Sequence, residues 1–492
     1  MKKSKIYLRI LAFTLSALLL SSCSNNTENP NADTSDTASS QTDIGGDSAS
    51  ESVSETETET TAYISDDLPD EDFGGYAFRI LSCYFHDQEL ATFITYDELT
   101  GVPVNDELFY SKTKNEERFN VNISWIETGN EDAGKTAAMS AVNAGDDLCD
   151  MLIGKDKNTV ALGKAGVLLN LHDVEEFNFD KPWWPSHAVE AWTVANKLFA
   201  ASNYMSYCGI HWTRIITFNK DWAEQLQLEM PYNAVREGKW TLDMLNQLTE
   251  NVTNDVDGNG VIDSSDNIAF VSNGTWYCLQ EAVGIPIYRR DENGNLYADM
   301  DVERADGYLE KMRALTTGNK YSSNVNCETM FASGKALFAY TEVADAYEQY
   351  RESEVRYGIL PTPKYDETQE SYVSSCTDVP WGIPKTVKGE QQHIVGTICE
   401  ALSCYNYNNM LPVYLESALK SRAADSADDS EMLQLIADSR TIAFAHCFEM
   451  MMSNVFGDIG TSGQGSSSYF ASREKAVSKL IDNLVNSYNS ID

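Results

Sequence analysis

Twelve consecutive residues place oxygen donors at the spacing of a calcium loop: Asp255-Val256-Asp257-Gly258-Asn259-Gly260-Val261-Ile262-Asp263-Ser264-Ser265-Asp266. Asp255, Asp257 and Asn259 take positions one, three and five. Gly260 supplies the sharp turn at six, and Val261 offers its carbonyl at seven. Ile262 is the apolar residue that packs inward, and Asp263 acts through water at nine. Asp266 stands at twelve, where a glutamate is usual, and its shorter arm lowers affinity or tightens the geometry. A hard, oxygen-seeking cation fits this set, whereas zinc would want His or Cys. The other reading is a solvated Asp/Gly turn. The loop is single, so it predicts a structural calcium that pins a segment rather than a paired sensor.

The remaining side chains give no catalytic constellation. Six histidines (His86, His172, His187, His211, His393 and His446) are isolated, and HExxH, GxSxG and phosphate-loop patterns are absent. A carboxylate pair of the glycosidase kind can hide among 75 acidic residues, but nothing in the spacing marks one. The expectation is a protein that binds rather than turns over. Nine Trp and 25 Tyr offer flat faces for the CH surfaces of sugars, with carboxylates to take the hydroxyl rim.

A formal net charge of −39 excludes nucleic acid as a partner and repels anionic membrane surfaces. Membrane contact is expected through a lipid only. Lys2, Lys3 and Lys5 precede the apolar stretch Ile10 to Leu20, which is too short to span a bilayer as a mature helix. Leu20-Ser21-Ser22-Cys23 resembles a bacterial lipobox, so 1–23 reads as a lipoprotein signal with lipid chains, palmitate among them, on Cys23. A plain cleaved signal with an incidental cysteine is the alternative. Residues 24–69 are Ser, Thr, Asn, Asp and Glu almost throughout, a composition that cannot offset its ordering entropy, and read as a flexible tether. The expected place is the outer face of the cytoplasmic membrane of a Gram-positive bacterium. Cys83, Cys149, Cys208, Cys278, Cys327, Cys376, Cys399, Cys404 and Cys447 are scattered and odd in number, which predicts mostly buried free thiols, with one disulfide left open.

The elements that must position these residues alternate. Tyr76–Leu81, Val121–Ile126 and Cys149–Ile153 read as strands separated by helical spacing, which predicts a mostly parallel sheet flanked by helices. Ligands meet such sheets at the carboxyl ends of strands, where Asp156 lies. The order continues with "KLFAA" at Lys197–Ala201, "FNKDW" at Phe218–Trp222 and "GKWTLDMLNQL" at Gly238–Leu248. It ends with the stretch from Phe331 to Lys385, which contains "YGILPTPK" and "DVPWGIPK". This order resembles the extracellular solute-binding proteins of ABC importers, the sugar-binding group that includes maltose-binding proteins.

The resemblance implies a periplasmic-binding-protein-like type II α/β fold of two lobes joined by a hinge. Each lobe would have a central mixed or parallel sheet flanked by helices. Lobe 1 is expected from 70–200 plus 343–408, and lobe 2 from 201–342 plus 409–492. Leu198–Ala201 and the strand ending at Glu342 would cross between them. It implies ligand contacts from Trp381 and Asp378, from Trp276 and Tyr277, from Tyr204, Tyr207 and Trp212, and from Glu342 and Asp156. Trp183 and Trp184 read instead as a buried corner, and Trp125, Trp222 and Trp240 as core. The implied function is capture of a mono- or oligosaccharide by a monomer and its delivery to ABC permease subunits. The alternatives are a surface glycan-binding or sensor-coupled module without transport, and a secreted glycan-active enzyme.

Overall fold

Short runs, mostly rich in apolar residues and some set off by glycine or proline, become the strands among the described residues. In chain order they are β1 (Tyr76–Cys83), β2 (Val121–Ile126), β3 (Met151–Gly154), β4 (Arg214–Asn219), β5 (Ile268–Ser272), β6 (Tyr288–Arg290), β7 (Leu296–Ala298), β8 (Ala336–Glu342), β9 (Tyr357–Pro361), β10 (Ser374–Cys376), β11 (Trp381–Gly382) and β12 (Arg440–Ile442). They are seen in a computed structural model that describes residues 63–83, 93–285, 287–322, 325–350, 353–419 and 427–491. The lipobox at Cys23 and most of the expected tether lie outside the described residues.

Two four-stranded sheets organise the described residues. The first has the order β11-β3-β1-β2, with β1 parallel to β2 and β3, and β11 antiparallel to β3. Helices Pro103–Phe119 and Glu131–Ala144 follow β1 and β2, and the crossover geometry that parallel strands require explains the alternation in the sequence. The second has the order β5-β8-β4-β9; β5 runs parallel to β8, and β4 runs antiparallel to both its neighbours. Its strands are buried along nearly their whole length, as continuous apolar runs such as Ala336–Tyr340 and Ile268–Val271 require. A separate parallel two-stranded ladder is formed by β10 and β12. It is tied to the start of β4 through a bridge between Thr213 and Cys376.

Several expectations about the crossings need correction. β8 does not cross between layers; it pairs on both sides within the second sheet. β9, placed by sequence in lobe 1, pairs with β4 in that same sheet, so the return to the first sheet falls between Pro361 and Trp381. Leu198–Ala201 forms no strand of its own; Ala201 exchanges both backbone hydrogen bonds with Trp381, at 2.9 and 2.8 Å. Residues 63–69, counted with the tether, lie against the body. Arg118 holds Asp66 and Asp70, Lys181 holds Asp67, and Asn408 donates to the Ile64 carbonyl.

All nine cysteines among the described residues are free and buried. Trp183 and Trp184 form the expected buried corner: both indole N–H groups donate to Glu400, each at 2.9 Å. Trp240 is likewise core. No helix among the described residues is long and apolar enough to cross a membrane.

Candidate functional site

The carboxyl end of β3 delivers Lys155 and Asp156, and the chain entering the antiparallel β11 delivers Asp378 and Val379 beside them. Gly154 N–H donates to the Pro380 carbonyl at 3.2 Å, which fixes the two segments together. From the second sheet, β8 ends at Glu342, and the turn after β5 opens the helix Trp276–Ala282 that carries Tyr277. Trp212 precedes β4, and His446 follows β12. These side chains line one cavity of about 330 Å³: Lys155, Asp156, Trp212, Tyr277, Glu342, Thr377, Asp378, Val379 and His446. Five of the nine ligand residues expected from sequence, Asp156, Trp212, Tyr277, Glu342 and Asp378, are therefore brought to one place by strand ends of both sheets.

Burial governs the electrostatics of the cavity. It pushes the Asp156 carboxyl up to about 6, against the pull of the Lys157 N–H, which donates to it at 2.7 Å. Burial likewise raises Glu342 to about 7, although the Arg214 guanidinium pairs with it and acts the other way. His446 is lowered to about 4 by burial, and Lys157, Lys155 and Arg214 add to the effect, so its imidazole is neutral at pH 7. The His446 and Tyr277 rings lie face to face, 4.0 Å apart with 4° between their planes. The outcome is a wall of hydroxyl-accepting carboxyls with a flat aromatic pair beside it, which suits a neutral polyol with apolar faces.

Two arginines that no sequence spacing marks hold the wall carboxylates in place. Arg214, 4% exposed, pairs with Glu342 across the β4–β8 ladder, where the two residues are register partners. Arg440, 2% exposed, donates to Asp378 at 3.1 Å and lies 5.2 Å over the Tyr204 ring. Gly209 makes room for it, since a Cβ there would stand 1.8 Å from Arg440 Nη1. The signal that could have revealed them is a basic residue opening an apolar strand, as in Arg214-Ile215-Ile216 and Arg440-Thr441-Ile442. It is weak, because it says nothing about the partner.

The other expected ligand residues lie elsewhere. Trp381 is 1% exposed; its indole N–H donates to Asn203 at 3.1 Å, and its ring packs on Trp184 and Phe177, each 5.8 Å away. It is core, because it is the residue that fastens β11 to Ala201. Tyr204 and Tyr207 are core as well, with the Tyr207 ring packed at a 32° tilt on Tyr414, 4.8 Å between centroids. Trp276, next to Tyr277, faces a different cavity.

The acidic loop contributes no residue to the interlayer cavity; its Asp255, Gly260 and Ile262 line the cavity that Trp276 faces. Carboxylate oxygens of Asp255, Asp257 and Asp266 gather within 4.8 Å of one another. Gly258 and Gly260 turn the chain there with φ of 71° and 79°. Asp266 is buried and accepts from the Val256 and Asp263 N–H groups, which hold its carboxyl below the usual range and keep it ionised. Asn259 and Asp263 accept from the Val261 and Ser265 N–H groups. Three ionised or ionisable oxygens on a glycine turn fit a calcium ion.

No protein-family model and no curated protein matches the sequence. Solved structures do. UspC from M. tuberculosis superposes with a TM-score of 0.53 at 12% identity, over 82% of this chain and 100% of that one. UgpB from Mycobacterium tuberculosis, solved in complex with glycerophosphocholine, gives 0.51 at 13% identity, over 83% and 99%. The ABC substrate-binding protein Lmo0181 from Listeria monocytogenes, in complex with cycloalternan, gives 0.47 at 12% identity, over 85% and 100%.

Proposed function

We propose that this chain, which has the two-lobed fold of the substrate-binding proteins of ABC importers, captures a carbohydrate in the cavity between its two sheets and hands it to a membrane permease. The observation that carries the reading is the meeting of Asp156 and Asp378 from the first-sheet side with Trp212, Tyr277 and Glu342 from the second. A ligand touching both walls favours the closed arrangement of the layers, and closure is what a permease would recognise. Glu342 and Asp378 are each fixed in the wall by a buried guanidinium, Arg214 and Arg440.

In this reading the Asp255–Asp266 loop carries a structural calcium ion held by Asp255, Asp257 and Asp266. Asn259, the Val261 carbonyl and Asp263 complete the set. The chain works as a monomer on the outer face of the cytoplasmic membrane, anchored by lipid on Cys23.

A thermal-shift screen against a glycan panel, with and without calcium, tests both parts. A sugar that binds only the folded state raises Tm by an amount set by its concentration over Kd. Asp156→Asn and Tyr277→Ala should each remove that rise while leaving the unliganded Tm within a few degrees of the parent. Calcium should raise Tm on its own, and Asp257→Asn should cancel that gain. A sugar-induced rise that survives both cavity variants would place the ligand elsewhere.

A further inference from the structure

A cavity of about 590 Å³ lies outside the site just described and shares no residue with it. Its walls are Trp276, Tyr321 and Phe456, with Thr316, Ser322, Thr461 and the Asp255 carboxylate among the polar groups around them. Trp276 and Tyr277 are neighbours at the start of one helix, so their side chains leave the backbone in different directions. Tyr277 goes to the interlayer cavity, and Trp276 goes to this one. The Trp276 ring is braced from behind by Tyr340, nearly parallel at 6.0 Å and 5°. Tyr321 and Phe456 meet it edge-on at 6.0 and 5.8 Å.

The position of the cavity sets it apart as much as its lining. Tyr321 bridges to Phe270 of β5, and Trp276 follows β5, so that wall belongs to the second sheet. None of the lining residues comes from the first sheet or from the helices Pro103–Phe119 and Glu131–Ala144 that connect its parallel strands. A ligand here would touch one layer only and would not depend on closure.

A rigid, braced aromatic corner with the hydroxyls of Thr316, Ser322 and Thr461 around it presents what a pyranose recognises: apolar faces for CH groups and oxygens that take part in hydroxyl hydrogen bonds. The volume falls within the range of small-molecule sites, roughly 300–1,000 Å³. We infer that this cavity is a second carbohydrate-binding site, confined to the second-sheet body and occupied independently of the first.

The test uses the full chain and a panel of neutral gluco-, xylo- and manno-oligosaccharides, read by saturation-transfer NMR and titration calorimetry. Thr461→Trp fills the second cavity from an exposed position, and Tyr277→Ala impairs the first. The expected result is two binding components in the parent protein. Thr461→Trp should weaken one at least tenfold and leave the other intact, which also shows that the variant is folded; Tyr277→Ala should do the reverse. Trp276→Leu, which keeps an apolar side chain in the braced corner, should reproduce Thr461→Trp. Loss of all binding in Tyr277→Ala alone, with Thr461→Trp silent, would overturn the second site and leave the interlayer reading standing. The opposite pattern would overturn the interlayer reading and leave this one. A panel that gives no contact with the parent protein would overturn both.

Discussion

A carboxyl group withdrawn from water keeps its proton to higher pH, and Glu342 shows what that does to the whole protein. Its folded value of about 7 lies above the ordinary glutamate value because burial outweighs the Arg214 charge. Protonation therefore favours the folded state, and the stabilisation is lost as pH rises through about 7. Asp156 and Glu400, raised by burial to about 6 and about 7, act in the same direction. His446 acts oppositely, since its folded value is depressed, but only below roughly pH 6.5, where a free imidazole begins to charge. From about pH 6.5, above which His446 no longer contributes, to just above 7, where the buried carboxyls become ionised in both states, Tm should fall as pH rises, and Glu342→Gln should flatten that slope. A slope unchanged in the variant would mean that Glu342 is not the titrating group. Trp381 shows the limit of sequence at this scale. The family resemblance implied a ligand contact for it, but a strand's alternation leaves open which neighbour points outward, and beside the pairing with Ala201 the indole is buried. Arg440 was invisible for a related reason: its partner Asp378 lies 62 positions away and no spacing links them.

Elements were legible where their pattern is local. The runs that became β1, β2, β8, β9 and β11 are short and rich in apolar residues, β9 and β11 set off by proline, and each formed close to where its local pattern put it. What composition does not encode is which sheet a buried strand joins. β9 reads equally well as either, and the deciding contact comes from far along the chain. Asp429, on helix Ala427–Asp438, accepts from the Ile359 N–H of β9 at 3.0 Å, from Tyr232 at 2.6 Å and from Lys220 at 2.7 Å. That buried carboxylate ties three segments of the second-sheet body. Asp429→Ala would leave Lys220 charged and unpaired, which costs roughly 3–5 kcal/mol. Urea unfolding should show the unfolding free energy lowered by that amount, through a lower midpoint at an unchanged m-value. A loss below about 1 kcal/mol would show that the tie is dispensable.

The molecule as a whole carries two sheets whose strand ends face one cavity, and a separate two-stranded ladder. Small-angle scattering should show the radius of gyration falling when a bound sugar saturates the parent protein and staying constant in Tyr277→Ala. Contraction in both would separate closure from the proposed site. The two-layer α/β plan and most of the cavity's residue types were readable from the order of motifs. The boundary between layers was not, because it depends on pairing rather than on composition.

The docked N-terminal segment has its own mechanical consequence. Asp66, Asp67 and Asp70 are gripped by Arg118 and Lys181, and Phe73 and Gly75 bond to the backbone of Phe119 and Asn120, all of them around the first sheet. A pull arriving through the chain before Tyr63 is thus borne by that half alone. If the molecule flexes about its ladder, the first-sheet half serves as the stator, and the half bearing Tyr277, Trp276 and the acidic loop is the one that swings.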